Sequence, residues 1–251
     1  LYGDIRMKAL MMTKYGDALS SLEVQEVSTP KVGDNQILIK VHSASFNPFD
    51  YKLLRGDFKA MGKIQFPEGI GKDVSGVVEK VGKKVKTFKA GDKVYSRIDE
   101  SFAGTMAEYV ISNASDSANI PSNLSHEESA GVPLAGLTAY QALTDVVKLS
   151  KGERILIHAG SGGVGTFAIQ FAKHLGAKVT TTTSTKNIEL VKKLGADKVI
   201  DYTKENYLDE ESKFDVVFDT LGGNHTLDYF NVVKDGVRLV FIAVLIDSIT
   251  D

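Results

Sequence analysis

The stretch Lys151–Lys173, KGERILIHAGSGGVGTFAIQFAK, decides the fold of this chain. Arg154–Ala159 is short and almost wholly apolar, which is typical of a strand buried in a parallel sheet. Glycines follow at once, and a helical pattern then begins whose apolar residues recur at the i, i+3, i+4, i+7 spacing of a helix that packs on a sheet. These apolar positions are Val164, Phe167, Ala168, Phe171, Ala172 and Leu175.

The glycine-rich turn between this strand and this helix predicts a dinucleotide site. Glycine lets backbone N–H groups approach a phosphate closely, and the helix N-terminus adds the positive end of its dipole. Such strings also arise by chance, so an ordinary strand–helix turn is the alternative. The strand before the turn and the amphipathic helix after it favour the dinucleotide site. Its glycines are Gly160, Gly162, Gly163 and Gly165.

The composition is that of an ordinary globular protein. The 251 residues are 43% hydrophobic and 25% charged, with a net charge of −2, so the charge balance indicates no nucleic-acid partner. We interpret the lysines between Lys83 and Lys89 as the solvated edge of a hairpin. No apolar run approaches the ~20 residues of a membrane span, and no secretory segment opens the chain. We therefore expect a cytoplasmic protein without a membrane partner.

From Met7 to about Asn119, short strand patterns are separated by turn residues, which predicts a small barrel-like β unit. The six residues before Met7 are expected to be a cloning remnant. One helical turn is predicted at Asp50–Arg55, after Asn47-Pro48. The predicted strands are Lys8–Met12, Leu22–Val27, Ile37–Ser45, Val74–Val81, Lys93–Tyr95 and Met106–Ile111.

After Pro121 the pattern changes to alternating helices and strands. Ser125 and Glu128 have the spacing of a capping box, and a helical pattern then runs through Leu137–Leu143. The alternation from Arg154 onward predicts a parallel, doubly wound sheet. Its further strands are predicted at Lys178–Thr183, Val199-Ile200, Phe214–Phe218 and Val237–Ile242, with helices at Lys186–Leu194 and Thr226–Lys234.

Several motifs, in the same order, resemble the zinc-independent medium-chain dehydrogenase/reductases, in the branch of quinone oxidoreductases and alkenal/enone reductases. The resemblance covers about Met7 to Ile242. It implies an α/β protein with a GroES-like β-barrel catalytic domain over 7–124, a Rossmann doubly wound parallel sheet over 125–251, and an active site in the cleft between them. The motifs are AGSGGVG at Ala159–Gly165, LAGLTAY at Leu134–Tyr140, LGADKVIDYTKE at Leu194–Glu205, FNPFDYK at Phe46–Lys52 and VSGVVEKVGKKVKTFKAGDKV at Val74–Val94.

The positions that bind zinc in related dehydrogenases carry other residues here. Those relatives use a Cys, a His in a Gly-His-Glu string and a further Cys, whereas this chain has Asn47 and Gly71-Lys72-Asp73, and no cysteine at all. A lysine ammonium has no lone pair at neutral pH. We therefore predict that no metal is bound. The histidines show no ligand spacing; they are His42, His126, His158, His174 and His225.

The end of the second Rossmann strand indicates NADPH rather than NADH. NAD sites carry an acidic residue about 20 residues beyond the glycine loop. Thr180–Asn187 instead offers hydroxyls, an amide and the Lys186 ammonium, which suit a 2′-phosphate. The alternative is that Thr182–Thr185 simply end the strand and cap the next helix, and both can hold.

The resemblance adds contacts to this cofactor. It places Tyr202 near the 2′-phosphate, Gly163 and Val164 at the pyrophosphate, and Ile242 near the nicotinamide. The full set predicted to bind NADPH is Lys52, Thr138, Gly160, Gly162, Gly163, Val164, Gly165, Ser184, Thr185, Lys186, Asn187, Tyr202 and Ile242.

The resemblance implies zinc-free hydride transfer from NADPH to a small enone, enal or quinone, by orientation and polarisation rather than by a strict catalytic acid. The candidate catalytic residues are Asn47, Tyr51 and Lys52, with packing in the barrel as the alternative for Tyr51. Three alternatives stay open: an NADPH-binding protein with little turnover, a subunit that depends on a partner, and one-electron quinone reduction. We expect a homodimer.

The end of the sequence departs from a doubly wound pattern. Val237–Ala243 is the predicted fifth strand, and Val244–Asp251 continues as apolar sequence without the turn and helix that should follow. We therefore expect that the chain is truncated, or joined across a gap near Ala243.

Overall fold

The computed structural model describes residues 6–62, 64–98, 104–211, 213–223 and 228–243. The chain divides into two compact units, Leu1–Leu134 and Ala135–Asp251. The sequence predicts a boundary between residues 124 and 125, and this boundary stays a prediction. The helix that follows it, at His126–Ala130, packs against strands of the first unit.

The first unit is built from two antiparallel sheets. The larger has the strand order β7-β3-β5-β6-β8 and the smaller the order β2-β1-β4. Alternate apolar residues such as Ile37, Ile39, Val74 and Val78 are buried in the core of the larger sheet, as the period of two predicts. The strands are β1 (Arg6–Met12), β2 (Leu22–Ser28), β3 (Gln36–Ser45), β4 (Glu68–Gly69), β5 (Asp73–Val81), β6 (Lys93–Arg97), β7 (Tyr109–Asn113) and β8 (Ser117–Asn119).

Short helices connect these strands. Asp17 caps the first by accepting a hydrogen bond from the Ser20 N–H. The predicted capping box is confirmed, because Ser125 Oγ accepts from the Glu128 N–H at 3.1 Å and Glu128 Oε2 accepts from the Ser125 N–H at 2.8 Å. The helices are α1 (Ala18–Ser21), α2 (Pro48–Arg55), α3 (His126–Ala130) and α4 (Pro133–Gln141), which is followed by a π-helical turn at Ala142–Val146.

The second unit contains a parallel five-stranded sheet in the order β11-β10-β9-β12-β13. All neighbouring strands in it are parallel, and β9 lies at the centre, as a doubly wound sheet requires. The predicted fold class is confirmed. The strands are β9 (Arg154–Ile157), β10 (Lys178–Thr183), β11 (Lys198–Asp201), β12 (Phe214–Asp219) and β13 (Val233–Phe241), and the helices are α5 (Gly163–His174) and α6 (Ile188–Lys193).

The buried face of α5 differs slightly from the predicted stripe. Its fully buried residues include Ile169, which the stripe omits, whereas Phe167 and Phe171 are only partly buried. Small residues lie against the sheet, and the two phenylalanine rings stack at the edge of the core with their centroids 6.2 Å apart. The full set of buried α5 residues is Gly165, Ala168, Ile169 and Ala172.

The helix predicted over Thr226–Lys234 ends earlier than expected, because within its described part only Asp228 is α-helical. A single 3₁₀ turn covers Tyr229–Asn231, and β13 already begins at Val233. Gly236, with a φ of 76°, lets the strand turn within itself, and the pairing register with β12 shifts before it resumes at Arg238. Residues 224–227, in the predicted helix, lie outside the described residues. Val244–Asp251, the segment on which the expectation about the chain end rests, also lies outside them.

The predicted strand Met106–Ile111 begins later than expected. Met106 and Glu108 hydrogen-bond to β1, through the Leu10 N–H to Met106 O and the Glu108 N–H to Lys8 O, before the chain joins β3 at Tyr109. The strand predicted over Arg154–Ala159 ends at Ile157, because the backbone turns at Ala159. The elements α1, β4 and β8, with four, two and three residues, are too short to give a periodic pattern.

Candidate cofactor-binding site

The glycine turn, residues Ala159–Gly165, is shaped by close backbone contacts. Ala159 has a φ of 51°, in the left-handed region. A Cβ on Gly165 would lie 2.3 Å from the Ala159 carbonyl oxygen, and a Cβ on Gly160 would lie 2.0 Å from Thr181 Oγ1. Both positions therefore require glycine, as the sequence predicts.

The turn ends at the uncapped N-terminus of α5. The N-cap residue Gly162 offers no side-chain hydrogen bond, and a Cβ on Gly163 would meet no atom within 4 Å. The first N–H groups of a helix have no partner inside it, and they carry the positive end of the helix dipole. An anion fits at this end.

Three consecutive threonines of β10 support the glycine turn. Thr181 Oγ1 donates to the Ile157 carbonyl oxygen at 2.7 Å, Thr182 Oγ1 accepts from the Ala159 N–H at 3.1 Å, and Thr183 Oγ1 donates to Ser161 Oγ at 2.8 Å. All three side chains are buried. The sequence left two roles open for this segment, binding a 2′-phosphate or ending the strand and capping the next helix. The hydroxyls of Thr182 and Thr183 bond to the turn, which agrees with a structural role at the strand end.

A cavity of about 760 Å³ opens where β9 and β10 end. Its basic residue is Lys186, and Glu205 contributes a carboxylate from the segment after β11. The residues that line it are His158, Ala159, Ser161, Gly162, Thr182, Thr183, Ser184, Lys186, Asn187, Tyr202, Glu205, Asn206, Tyr207 and Leu221.

Aromatic residues form one wall of the cavity. His158 is buried, and its ring meets those of Tyr207 and Tyr229 at centroid distances of 4.8 and 5.3 Å. Burial, with the nearby carboxylates of Asp228 and Asp219, raises the pKa of Tyr207 to about 12. This phenol is therefore neutral in the physiological pH range.

The structure brings together five of the predicted cofactor residues in this lining: Gly162, Ser184, Lys186, Asn187 and Tyr202. Thr185 is not among them, because its hydroxyl points to Asp201 Oδ2 at 2.5 Å. Thr138 lies in α4 and Ile242 directly after β13, and neither lines the cavity. Their predicted contacts with the cofactor, and those of Lys52 in the first unit, stay predictions.

Sequence reasoning missed several lining residues. Ser161 lies inside the predicted glycine turn, so its neighbours in the sequence could have pointed to it. Glu205 and Tyr207 come from a segment after β11 that has no periodic pattern, and nothing local in the sequence indicates where they lie. His158 is the last residue before the turn, and its place directly after three apolar strand residues was the available signal.

The first unit contains a buried polar corner, which we call the Asp73 corner: Asp73, Ser45, Asn47 and Leu134. Asp73 is completely buried. Its Oδ2 accepts from Ser45 Oγ and Asn47 Nδ2, both at 3.0 Å, and its Oδ1 accepts from the Leu134 N–H at 3.0 Å. Burial raises the pKa of Asp73 to about 6, against the opposing effect of these hydrogen bonds.

The candidate catalytic residues lie beside this corner, at the start of α2. The Asn47 side chain also donates to Ser45 Oγ at 3.1 Å, and its backbone N–H donates to Asp50 Oδ2 at 2.7 Å. Tyr51 is 40% exposed, with the Arg55 guanidinium 5.6 Å from its ring centroid, so core packing does not account for it. Lys52 is partly buried in the same helix.

The positions that correspond to zinc ligands in related dehydrogenases carry Asn47 and Gly71-Lys72-Asp73. Burial lowers the pKa of Lys72, against the opposing effect of Glu68 and Asp50. His42 and His126 stack with their ring centroids 4.4 Å apart, but in the described ranges no group of three or more metal-ligating side chains is found. That the protein binds no metal stays a prediction.

No helix within the described part of the chain combines the length and the apolar character of a membrane span.

The fold and the glycine turn define one Rossmann-like nucleotide-binding unit and one GroES-like unit. The model of the alcohol dehydrogenase GroES-like domain matches residues 33–122, and that of the zinc-binding dehydrogenase domain matches residues 163–250. A solved quinone oxidoreductase from Coxiella burnetii is 36% identical with a TM-score of 0.84, over 94% of this chain and 75% of that one. The chain belongs to the medium-chain dehydrogenase/reductase family, in the branch of quinone oxidoreductases and alkenal/enone reductases.

Two curated relatives are similar over most of the chain. The 2-methylene-furan-3-one reductase of Solanum lycopersicum is 43% identical over 94% of this chain, and the chloroplastic NADPH-dependent alkenal/one oxidoreductase of Arabidopsis thaliana is 40% identical over 93%. The chain spans 62% of the length of each. Because the second is named for the chloroplast, the cytoplasmic location of this chain stays a prediction, as does the homodimer.

Proposed function

We propose that this chain belongs to an NADPH-dependent oxidoreductase that transfers a hydride to a small α,β-unsaturated carbonyl compound or a quinone. The observation that carries the proposal is the cavity at the end of β10, which combines the Lys186 ammonium with the hydroxyls of Ser184 and Tyr202. Ser184 follows β10 directly, where a site for NADH would carry a carboxylate. The names of the relatives support the same reaction class.

Residues of the second unit suit two parts of NADPH, the pyrophosphate and the 2′-phosphate. The uncapped N-terminus of α5 fits the pyrophosphate, because its N–H groups lack partners and Gly163 leaves the approach open. Lys186 suits the 2′-phosphate because charge-assisted hydrogen bonds are the strong ones. When bound, NADPH would supply the hydride.

The residues of the first unit would orient and polarise the substrate. We assign this role to Asn47, Tyr51 and Lys52. Asn47 donates both hydrogens of its amide nitrogen, to Asp73 Oδ2 and Ser45 Oγ, so it would contribute by orienting the start of α2, and polarisation would come from Tyr51 and Lys52. Asn47 and Lys72 occupy positions where zinc-dependent relatives carry metal ligands, and a lysine ammonium has no lone pair, so we propose that the reaction uses no zinc.

Binding and turnover assays test the proposal. NADPH and NADH are titrated by fluorescence, and NADPH oxidation is then followed with small enals, enones and quinones, before and after dialysis against a chelator. We expect tighter binding of NADPH, oxidation with at least one of these substrate classes, and no effect of the chelator. Equal binding of the two cofactors, or loss of activity with the chelator, would contradict the proposal. Binding without turnover of any compound would leave only the NADPH-binding alternative.

A further inference from the structure

Ser161, between the first two glycines of the turn, has both of its acceptor positions filled. Its Oγ accepts from Thr183 Oγ1 at 2.8 Å and from Asn187 Nδ2 at 3.1 Å. A serine hydroxyl has two acceptor positions and one hydrogen to donate. The hydrogen is therefore what Ser161 has left to offer, and no acceptor for it occurs among the hydrogen bonds of the described residues.

The two partners of Ser161 are themselves held in place. Thr183 is 1% exposed at the end of β10, so its hydroxyl must find an acceptor inside the protein, and Ser161 is that acceptor. Asn187 Nδ2 lies 3.1 Å from Ser161 Oγ and 3.4 Å from Ser184 Oγ. The network thus joins the glycine turn to the end of β10.

The free hydrogen belongs to a residue that lines the cavity. Ser161, Ser184, Lys186 and Asn187 all line the same 760 Å³ space. A hydroxyl whose lone pairs are occupied cannot accept from a ligand, so it favours a ligand group that only accepts, such as a phosphate oxygen. The groups bonded to Ser161 come from the strand end, where the adenosine ribose lies in a Rossmann site, rather than from the N-terminus of α5.

We propose that Ser161 is a specificity-determining residue, whose hydroxyl donates to the 2′-phosphate of the adenosine ribose. The inference rests on the proposed function, because it assigns one more donor to the same cofactor. Thr183 and Asn187 act on Ser161 as positioning residues, because their hydrogen bonds to Ser161 Oγ fix the direction of its hydroxyl. Ser161 thereby contributes to the preference for NADPH over NADH.

The test compares the affinities of Ser161→Ala and Thr183→Val for NADPH and NADH, measured by calorimetry on the full chain. Ser161→Ala should weaken NADPH binding about tenfold, the usual effect of losing a hydrogen bond to a charged group, and leave NADH binding unchanged. Thr183→Val should weaken NADPH binding less, because Ser161 keeps its hydrogen and loses only one of its two fixed partners. Ser161→Thr, which keeps the hydroxyl, should retain the preference for NADPH.

Several outcomes would overturn the inference. A purely structural role of Ser161 predicts that Ser161→Ala weakens NADPH and NADH equally. If Ser161→Ala does not fold, Ser161→Gly removes the same hydroxyl with the residue type that fills the rest of the turn, and the same ratio decides. If native protein prefers NADPH and Ser161→Ala keeps the full preference, the inference fails alone. If native protein shows no preference, the proposed function fails with it.

Discussion

The glycine turn of the second unit and the Asp73 corner of the first both lie at the end of a buried strand, but they use their polar groups in opposite ways. In the Asp73 corner, Ser45, Asn47 and Leu134 satisfy both carboxylate oxygens. In the glycine turn, α5 has no N-terminal cap and the hydrogen of Ser161 has no acceptor among the described hydrogen bonds. Hydrogen-bonding groups that satisfy one another stabilise the fold, whereas donors without a protein acceptor can bind an anion.

The largest expected effect comes from adding one methyl group to the glycine turn. In Gly165→Ala the new Cβ would lie 2.3 Å from the Ala159 carbonyl oxygen, so the turn must move. The N–H groups of the turn then lose their alignment with the pyrophosphate. Because a hydrogen bond to a charged group contributes about 1.5–3 kcal/mol, we expect NADPH affinity to fall about 100-fold, with a lower melting temperature. In Gly163→Ala the Cβ meets no atom, and the melting temperature should stay the same. Equal melting of the two variants would contradict the difference in packing.

The Asp73 corner should respond through stability instead. Asp73→Ala leaves three partly buried donors without their acceptor, and we expect a loss of about 2–3 kcal/mol in the free energy of unfolding, measured with urea at pH 7. The control is Glu79→Ala, which removes an exposed carboxylate from the same strand and should change stability by less than about 0.5 kcal/mol. A similar small change for both variants would show that the corner does not stabilise the first unit.

Removing the two charges in the cavity should change NADPH affinity by a smaller amount, and in opposite directions. Lys186→Ala should weaken NADPH binding about tenfold through loss of a charged hydrogen bond, while NADH binding hardly changes. Glu205→Gln, in the same cavity, should strengthen NADPH binding, because a carboxylate repels the 2′-phosphate. Fluorescence titration of both variants measures these changes. Changes of the same sign in the two variants would contradict the assignment of this cavity to the phosphate.

The smallest expected effect is a dependence of stability on pH that originates in the Asp73 corner. Burial raises the pKa of Asp73 to about 6 from its usual 3.8, so the folded protein holds this proton more tightly than the unfolded chain does. The stabilisation is therefore present below about pH 4 and is lost as the pH rises through 6. Between pH 5 and 7, native protein should lose about 1 kcal/mol more unfolding free energy than Asp73→Asn. Parallel curves for the two proteins would contradict the raised pKa.

How far the sequence predicts each region follows from how far apart its parts lie in the chain. The glycine turn, the strand before it and the helix after it are contiguous, so the local sequence predicts all three. The groups that satisfy Asp73 lie 28, 26 and 61 residues away, so no local pattern joins them. The same reason explains why Glu205 was missed in the cavity.

The threonines of β10 show a further limit. Their hydroxyls suggested ligands for a phosphate, and a run of polar residues is consistent with an exposed strand end. In the structure they are buried, because β9 offers Ile157 O and the turn offers the Ala159 N–H and Ser161 Oγ as partners. Whether a hydroxyl serves the fold or a ligand depends on these neighbours, which the sequence pattern does not contain.

Titration with adenosine 2′,5′-bisphosphate and with 5′-AMP tests the central claim most directly. The two compounds differ only by the 2′-phosphate, and both probe the cavity formed by the second unit. Calorimetry on the full native chain should show that the bisphosphate binds at least about tenfold more tightly than 5′-AMP. The reason is that Lys186, Ser184 and Ser161 would donate hydrogen bonds to the 2′-phosphate. Equal affinity for the two compounds would contradict it.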